Sequence, residues 1–198
     1  MKHTFNPHFP GLDDKLSAPS ENDILNVVSF KYADYDYVYK YCDNDYVRYV
    51  LNNIPIFGQH KRVLIDLKVH DLKPEFVPCV PGWHLDGSIN PKKLPKQPEI
   101  FTLFVTGEHS LTEFLTKEIQ LEVNDRWDFA MMSKACSRLV PKDYPSQSIP
   151  SCQFASYGDH YFHRGKLSTG YERRLLVRTT ETDIIEPQNK IYTPYIYP

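Results

Sequence analysis

Residues 62–70, RVLIDLKVH, decide the fold. Val63, Ile65, Leu67 and Val69 alternate with Leu64, Asp66, Lys68 and His70. A period of two is the mark of a strand, whose successive side chains point to opposite faces. Outward from it, residues 100–107 (IFTLFVTG) read as a second strand. CQFASYG (152–158), YFHRG (161–165) and YERRLLVRTT (171–180) read as further strands separated by turns. The 16 prolines are spread along the chain, and each would interrupt an interior helical turn. The expected class is therefore mostly β, with a few helices.

At 198 residues the chain suits a single domain, and a hydrophobic fraction of 41% is enough to fill its core. The net charge of −2 gives no general attraction to nucleic acid or anionic lipid. Residues 1–15, MKHTFNPHFPGLDDK, lack the apolar segment of a secretory signal, and no apolar run approaches the roughly 20 residues of a spanning helix. The expected location is cytoplasmic. Cys42, Cys79, Cys136 and Cys152 form no CxxC pair, which argues for reduced, mostly buried thiols and against a zinc knuckle.

Smaller elements fill the gaps. Residues 1–22 read as an irregular arm. Asn22-Asp23 can cap a short segment at 24–30, and residues 43–54 (DNDYVRYVLNNI) read as a helix with an Asp or Asn cap. Tyr35, Tyr37, Tyr39 and Tyr41 alternate as on one face of a strand, either as sheet surface or core or as an aromatic substrate wall. Residues 110–122 fit strand or short helix equally, and residues 125–140 have mixed helical character. Residues 90–98, NPKKLPKQP, form a loop in which Lys92, Lys93 and Lys96 are either solvated or face an anionic substrate such as a nucleotide. The aromatic, proline-broken tail within 187–198 is expected to be extended, draped over the body or a partner.

The chemistry centres on residues 81–87, PGWHLDG. On extended backbone His84 and Asp86 share one face and can bind one ion from one side. Further on stands His163-Arg164-Gly165, and Arg174 follows His163 by eleven residues (163 to 174). In ERRLLVR (172–178), Arg174, Leu176 and Arg178 share one face, and Arg173, Leu175 and Val177 the other. An arginine directed into a β-lined cavity needs an anionic partner, and a dicarboxylate fits its planar fork.

HLD, a distal histidine within HRG and an arginine at +11 together resemble the Fe(II)/2-oxoglutarate-dependent dioxygenases, with spacing closest to the phytanoyl-CoA-hydroxylase-like branch. The resemblance covers about residues 62–180. It implies a double-stranded β-helix (jelly roll) with a few flanking helices. It also implies His84, Asp86 and His163 as Fe(II) ligands, and Arg174, with Arg178 beside it, for 2-oxoglutarate. The implied reaction hydroxylates a small-molecule or nucleotide substrate and releases succinate and CO2. Leu167-Ser168-Thr169 stands where the family often has an asparagine. His160 competes with His163, and Arg173 and Arg178 compete with Arg174. Trp83 either walls the site or packs. His60, His70 and His109 have no partner at metal spacing and read as surface or satisfied core residues. Two other readings stay open: a non-catalytic metal- or ligand-binding jelly roll, and an interaction module that docks through its tyrosines and tail.

Overall fold

The computed structural model describes residues 2–5, 8–79, 81–86, 98–122, 138–159, 161–193 and 196–197. Residues 62–70 lie in strand β4, Arg62–Leu72, and residues 172–180 lie in β11, Glu172–Thr182. The two are antiparallel along their whole length, from Glu172 opposite Leu72 to Thr182 opposite Arg62. β3 (Ser29–Asp34) and β12 (Ile191–Tyr192) extend the sheet on one side. β5 (Ile100–Val105), β9 (Gln153–Gly158) and β2 (Gly11–Lys15) extend it on the other, in the order β12-β3-β4-β11-β5-β9-β2. A second sheet runs β10 (His163–Gly165), β6 (Thr112–Leu115), β8 (Ser146–Ser148), and a third pairs β1 (Lys2–Phe5) with β7 (Ile119–Glu122). The fold is mostly β and its sheets are antiparallel.

The two faces of the large sheet are buried differently. Ile65, Leu67, Leu175 and Val177 pack with Val38, Val47, Val50 and Leu51, the apolar side of two helices. On the opposite face Phe101, Leu103 and Val105 pack with Phe114 of the second sheet, and Leu176 joins them. That face therefore looks into the space between two sheets, and the alternation carries Asp66, Lys68, His70, Arg174 and Arg178 into it.

Two α-helices among the described residues are α1, Tyr35–Tyr41, and α2, Asp45–Asn53. α2 matches the expected helix, and the Asn44 side chain caps it by accepting from the Val47 N–H at 2.9 Å. α1 corrects the reading of the tyrosine row as a strand. A spacing of two also places residues at i and i+4, which adjoin on a helix. Tyr35 stacks with Tyr39 at 6.2 Å and Tyr37 meets Tyr41 at 4.5 Å. Asp36 in the first turn and Lys40 in the last also suit the helix dipole.

The N-terminal residues correct a second expectation, because β1 and β2 are paired strands rather than irregular arm. All five residues of β2 are exposed, so it leaves no apolar alternation to read. It is held by backbone pairing with β9 and by Asp13, which accepts from Ser156 Oγ at 3.0 Å. Residues 110–122 resolve into β6 and β7. The tail lies on the body: β12 pairs with β3, and Tyr197 and Val77 exchange backbone bonds of 2.9 and 3.0 Å. Cys42 and Cys152 are buried free thiols, and Cys79 is a half-buried one. Cys136, most of 125–140 and the lysines of 90–98 lie outside the described residues. No helix among the described residues is long and apolar enough to cross a membrane.

Candidate metal centre

Backbone pairing brings the two histidines together. His84 and His163 exchange N–H···O bonds of 3.0 Å in both directions, although 79 residues separate them (163 − 84). Gly82, at φ +94°, turns the chain into this bridge in a region that side chains rarely adopt. Asp86 follows two residues on. Potential ligand atoms of His84, Asp86 and His163 lie within 4.8 Å of one another, the one such group of three found among the described residues.

The rings are oriented from behind. His84 Nδ1 lies 3.1 Å from Gly82 O, and His163 Nδ1 lies 3.0 Å from Tyr161 O. A carbonyl can only accept, so each Nδ1 carries the proton and each Nε2 keeps its lone pair. His163 Nε2 then faces Asp86 Oδ2 at 3.2 Å. Two acceptors at that distance need a positive species between them, a proton or a metal ion. Burial, and then the neighbouring His163, pushes the His84 pKa down to about 4, so its ring is neutral at pH 7. Burial works to raise the Asp86 carboxyl. Arg178 and then His163 overrule it and hold it well below the usual carboxylate range. Two imidazoles and one carboxylate on one side of an ion form a facial set that leaves positions open.

The three competing arginines part company here. Arg173 turns to the other face and makes a bidentate pair with Asp71, at 2.5 and 3.0 Å. Arg178 lies at the metal centre, but its fork is already committed. Nη2 bonds Asp66 Oδ2 at 2.5 Å and Nη1 pairs with Asp86 Oδ2, which also accepts from Tyr157 OH at 2.7 Å. Arg178 thus holds a candidate ligand in place.

Arg174 is 1% exposed, and its Nη2 donates to Thr112 Oγ1 at 3.1 Å. Its Nε and Nη1 have no partner among the described residues. Burial pulls its pKa down to about 10. An unpaired guanidinium fork in a β-lined interior is strong demand for an anion. Thr112 stands opposite Gly165, two residues along β10 from His163. The partner of Arg174 thus sits two residues, about 7 Å, along β6 from the position opposite His163.

Comparison with protein-family models, curated proteins and solved structures finds no match to this chain.

Of the remaining residues singled out, Trp83 packs: it is buried with Leu85, Leu115 and Phe162, and the Arg164 guanidinium lies 4.2 Å from its ring. His60 meets Pro98 O at 2.9 Å, and His109 meets Thr169 Oγ1 at 3.0 Å, both away from the centre. His160 lies outside the described residues. Cys79 accepts from the Gly165 N–H at 3.3 Å, and burial raises its thiol pKa.

His70 is the residue that sequence reasoning missed. It is 2% exposed and neither ring nitrogen has a partner among the described residues. The signal was present: in 66–70 every second residue (Asp66, Lys68, His70) is polar on a strand whose other face is apolar. Burial, then Arg174 and Lys68, push its pKa down to about 3 from 6.5. Between these values the unfolded chain binds a proton that the folded chain refuses, so stability falls as pH drops from about 6.5 towards 3. The full shift corresponds to at most about 5 kcal/mol. His84 adds to the same slope. Urea unfolding at pH 5.5 and 4.5 should show His70→Leu losing about 1.4 kcal/mol less than wild type over that unit. Equal losses would mean that His70 is protonated in the folded chain.

Proposed function

We propose that the chain is an Fe(II)- and 2-oxoglutarate-dependent oxygenase on a double-stranded β-helix. The observation that carries this is the pairing of two features on facing walls. One is a His-Asp-His set whose potential ligand atoms lie within 4.8 Å of one another. The other is the buried Arg174, whose Nε and Nη1 have no partner among the described residues and whose Nη2 bonds Thr112, two residues along β6 from the position opposite His163. The donor set suits Fe(II), and the fork suits the distal carboxylate of a five-carbon keto acid. Two sheets packed face to face around the site agree with a jelly roll.

When bound, iron with 2-oxoglutarate supplies the O2 activation that inserts oxygen into a C–H bond and yields succinate and CO2. The chain supplies position and dryness. His84, Asp86 and His163 hold the ion, and the carbonyls of Gly82 and Tyr161 fix the ring tautomers. Arg178 and Tyr157 hold Asp86. Arg174 fixes the far end of the keto acid. Phe114 and Tyr157 lie against the His163 ring at 5.3 and 5.4 Å and keep water from that side.

A thermal-shift series tests the reading against a metal-binding jelly roll without oxygenase chemistry. With Mn(II) as the redox-silent stand-in, 2-oxoglutarate should raise Tm further, by about 2.7 kcal/mol of stabilisation at 100 times its Kd. A rise with Mn(II) alone and none with 2-oxoglutarate would favour the non-catalytic metal protein.

A further inference from the structure

Arg174 is not the only cation on the interior face without a direct ion pair among the described residues. Lys68 stands on β4 opposite Leu176, between Asp66 and His70 on the same face. In the β4–β11 register it is the diagonal neighbour of both Arg174 and Arg178, about 7–8 Å from each. The two carboxylates closest in kind, Asp66 and Asp86, are already bridged by Arg178. Among the described residues no carboxylate or carbonyl bonds the Lys68 ammonium. Burial lowers its pKa and outweighs the attraction of Asp66 and Asp86, neither of which bonds it directly.

Two separate cations on one wall call for two anionic groups. On the reading proposed above, 2-oxoglutarate uses one carboxylate at the metal and the other at Arg174, so both of its charges are spoken for. Lys68 is left over, between the metal centre and Arg174. His70 stands beside it with a ring N–H that no group among the described residues accepts. We infer that Lys68 is the anchor for an anionic group, a carboxylate or a phosphate, on the molecule that this oxygenase acts on. This inference rests on the oxygenase reading and adds the substrate's charge to it. A neutral, wholly apolar substrate would offer the ammonium no hydrogen-bonding partner.

The test uses the full chain loaded with Mn(II) and saturated with 2-oxoglutarate. Acetate and inorganic phosphate are titrated in turn, and binding is read by calorimetry. Wild type, Lys68→Met, Lys68→Arg and Arg174→Met are compared. Expected is binding of one of the two anions to wild type, at least tenfold weaker in Lys68→Met and retained in Lys68→Arg. The anion that binds separates a carboxylate substrate from a phosphate one. The affinity for 2-oxoglutarate should stay within twofold in Lys68→Met and fall sharply only in Arg174→Met.

Equal anion binding in wild type and Lys68→Met, or none in either, overturns the inference while leaving the oxygenase reading intact. So does a loss of 2-oxoglutarate affinity in Lys68→Met as large as in Arg174→Met, because Lys68 then belongs to the co-substrate. If wild type with Mn(II) binds no 2-oxoglutarate, the oxygenase reading falls and the inference falls with it.

Discussion

Arg178→Met should unfold the metal-free protein about 10 °C below wild type. The guanidinium bridges two buried carboxylates, Asp66 and Asp86, which are 1% and 14% exposed at the side chain. Removing one partner of a buried pair leaves an uncompensated charge and costs about 3–5 kcal/mol. In a chain of this length each kcal/mol moves Tm by about 2–4 °C. The sign of the rescue identifies the cause. Mn(II) returns positive charge to Asp86, so it should recover more stability in Arg178→Met than in wild type. Asp66→Asn on the Arg178→Met background should cost far less than it does alone, since the two residues share one interaction. A Tm within 1 °C of wild type would show that the bridge does not form in solution.

Arg174→Met should do the opposite to stability while abolishing co-substrate binding. Its Nε and Nη1 are buried without partners among the described residues. Replacing such a cation by an apolar side chain of similar length removes a desolvation cost and should stabilise by about 1–2 kcal/mol. The affinity for 2-oxoglutarate should fall at least about 100-fold, the usual size of losing a buried charge-assisted pair. A residue kept for folding would behave the other way round. Destabilisation with unchanged 2-oxoglutarate affinity would assign Arg174 to the scaffold.

The long strands were legible because one of their faces is apolar. In β4 and β11 the core residues Ile65, Leu67, Leu175 and Val177 recur at every second position, and the register follows from that period. Edge strand β2 has no buried residue to announce it, and backbone pairing with β9 carries no side-chain signal. The tyrosines of 35–41 misled because spacings of two and four coincide, and only the helix shows which contact is made. At the site, His84, Asp86 and His163 were legible as residue types in order. Their meeting depends on a backbone bridge across the chain, which no local pattern contains. Arg174 and Arg178 share a face and could not be separated by period. What separates them is their neighbours: Asp66 faces Arg178 across the register, and His70 faces Arg174. His70 was passed over because a lone histidine on a strand is ordinarily satisfied. Here neither ring nitrogen has a partner among the described residues.

The central claim is that His84, Asp86 and His163 hold iron that 2-oxoglutarate can chelate. Anaerobic titration of Fe(II) and then 2-oxoglutarate into wild type and His84→Ala tests it most directly. The readout is the weak visible metal-to-ligand charge-transfer band that the family resemblance implies. The account predicts a band in wild type that saturates with 2-oxoglutarate and is absent in His84→Ala. A wild-type protein that retains no iron and develops no band would contradict it, and the three residues would then be a structural hydrogen-bonding cluster.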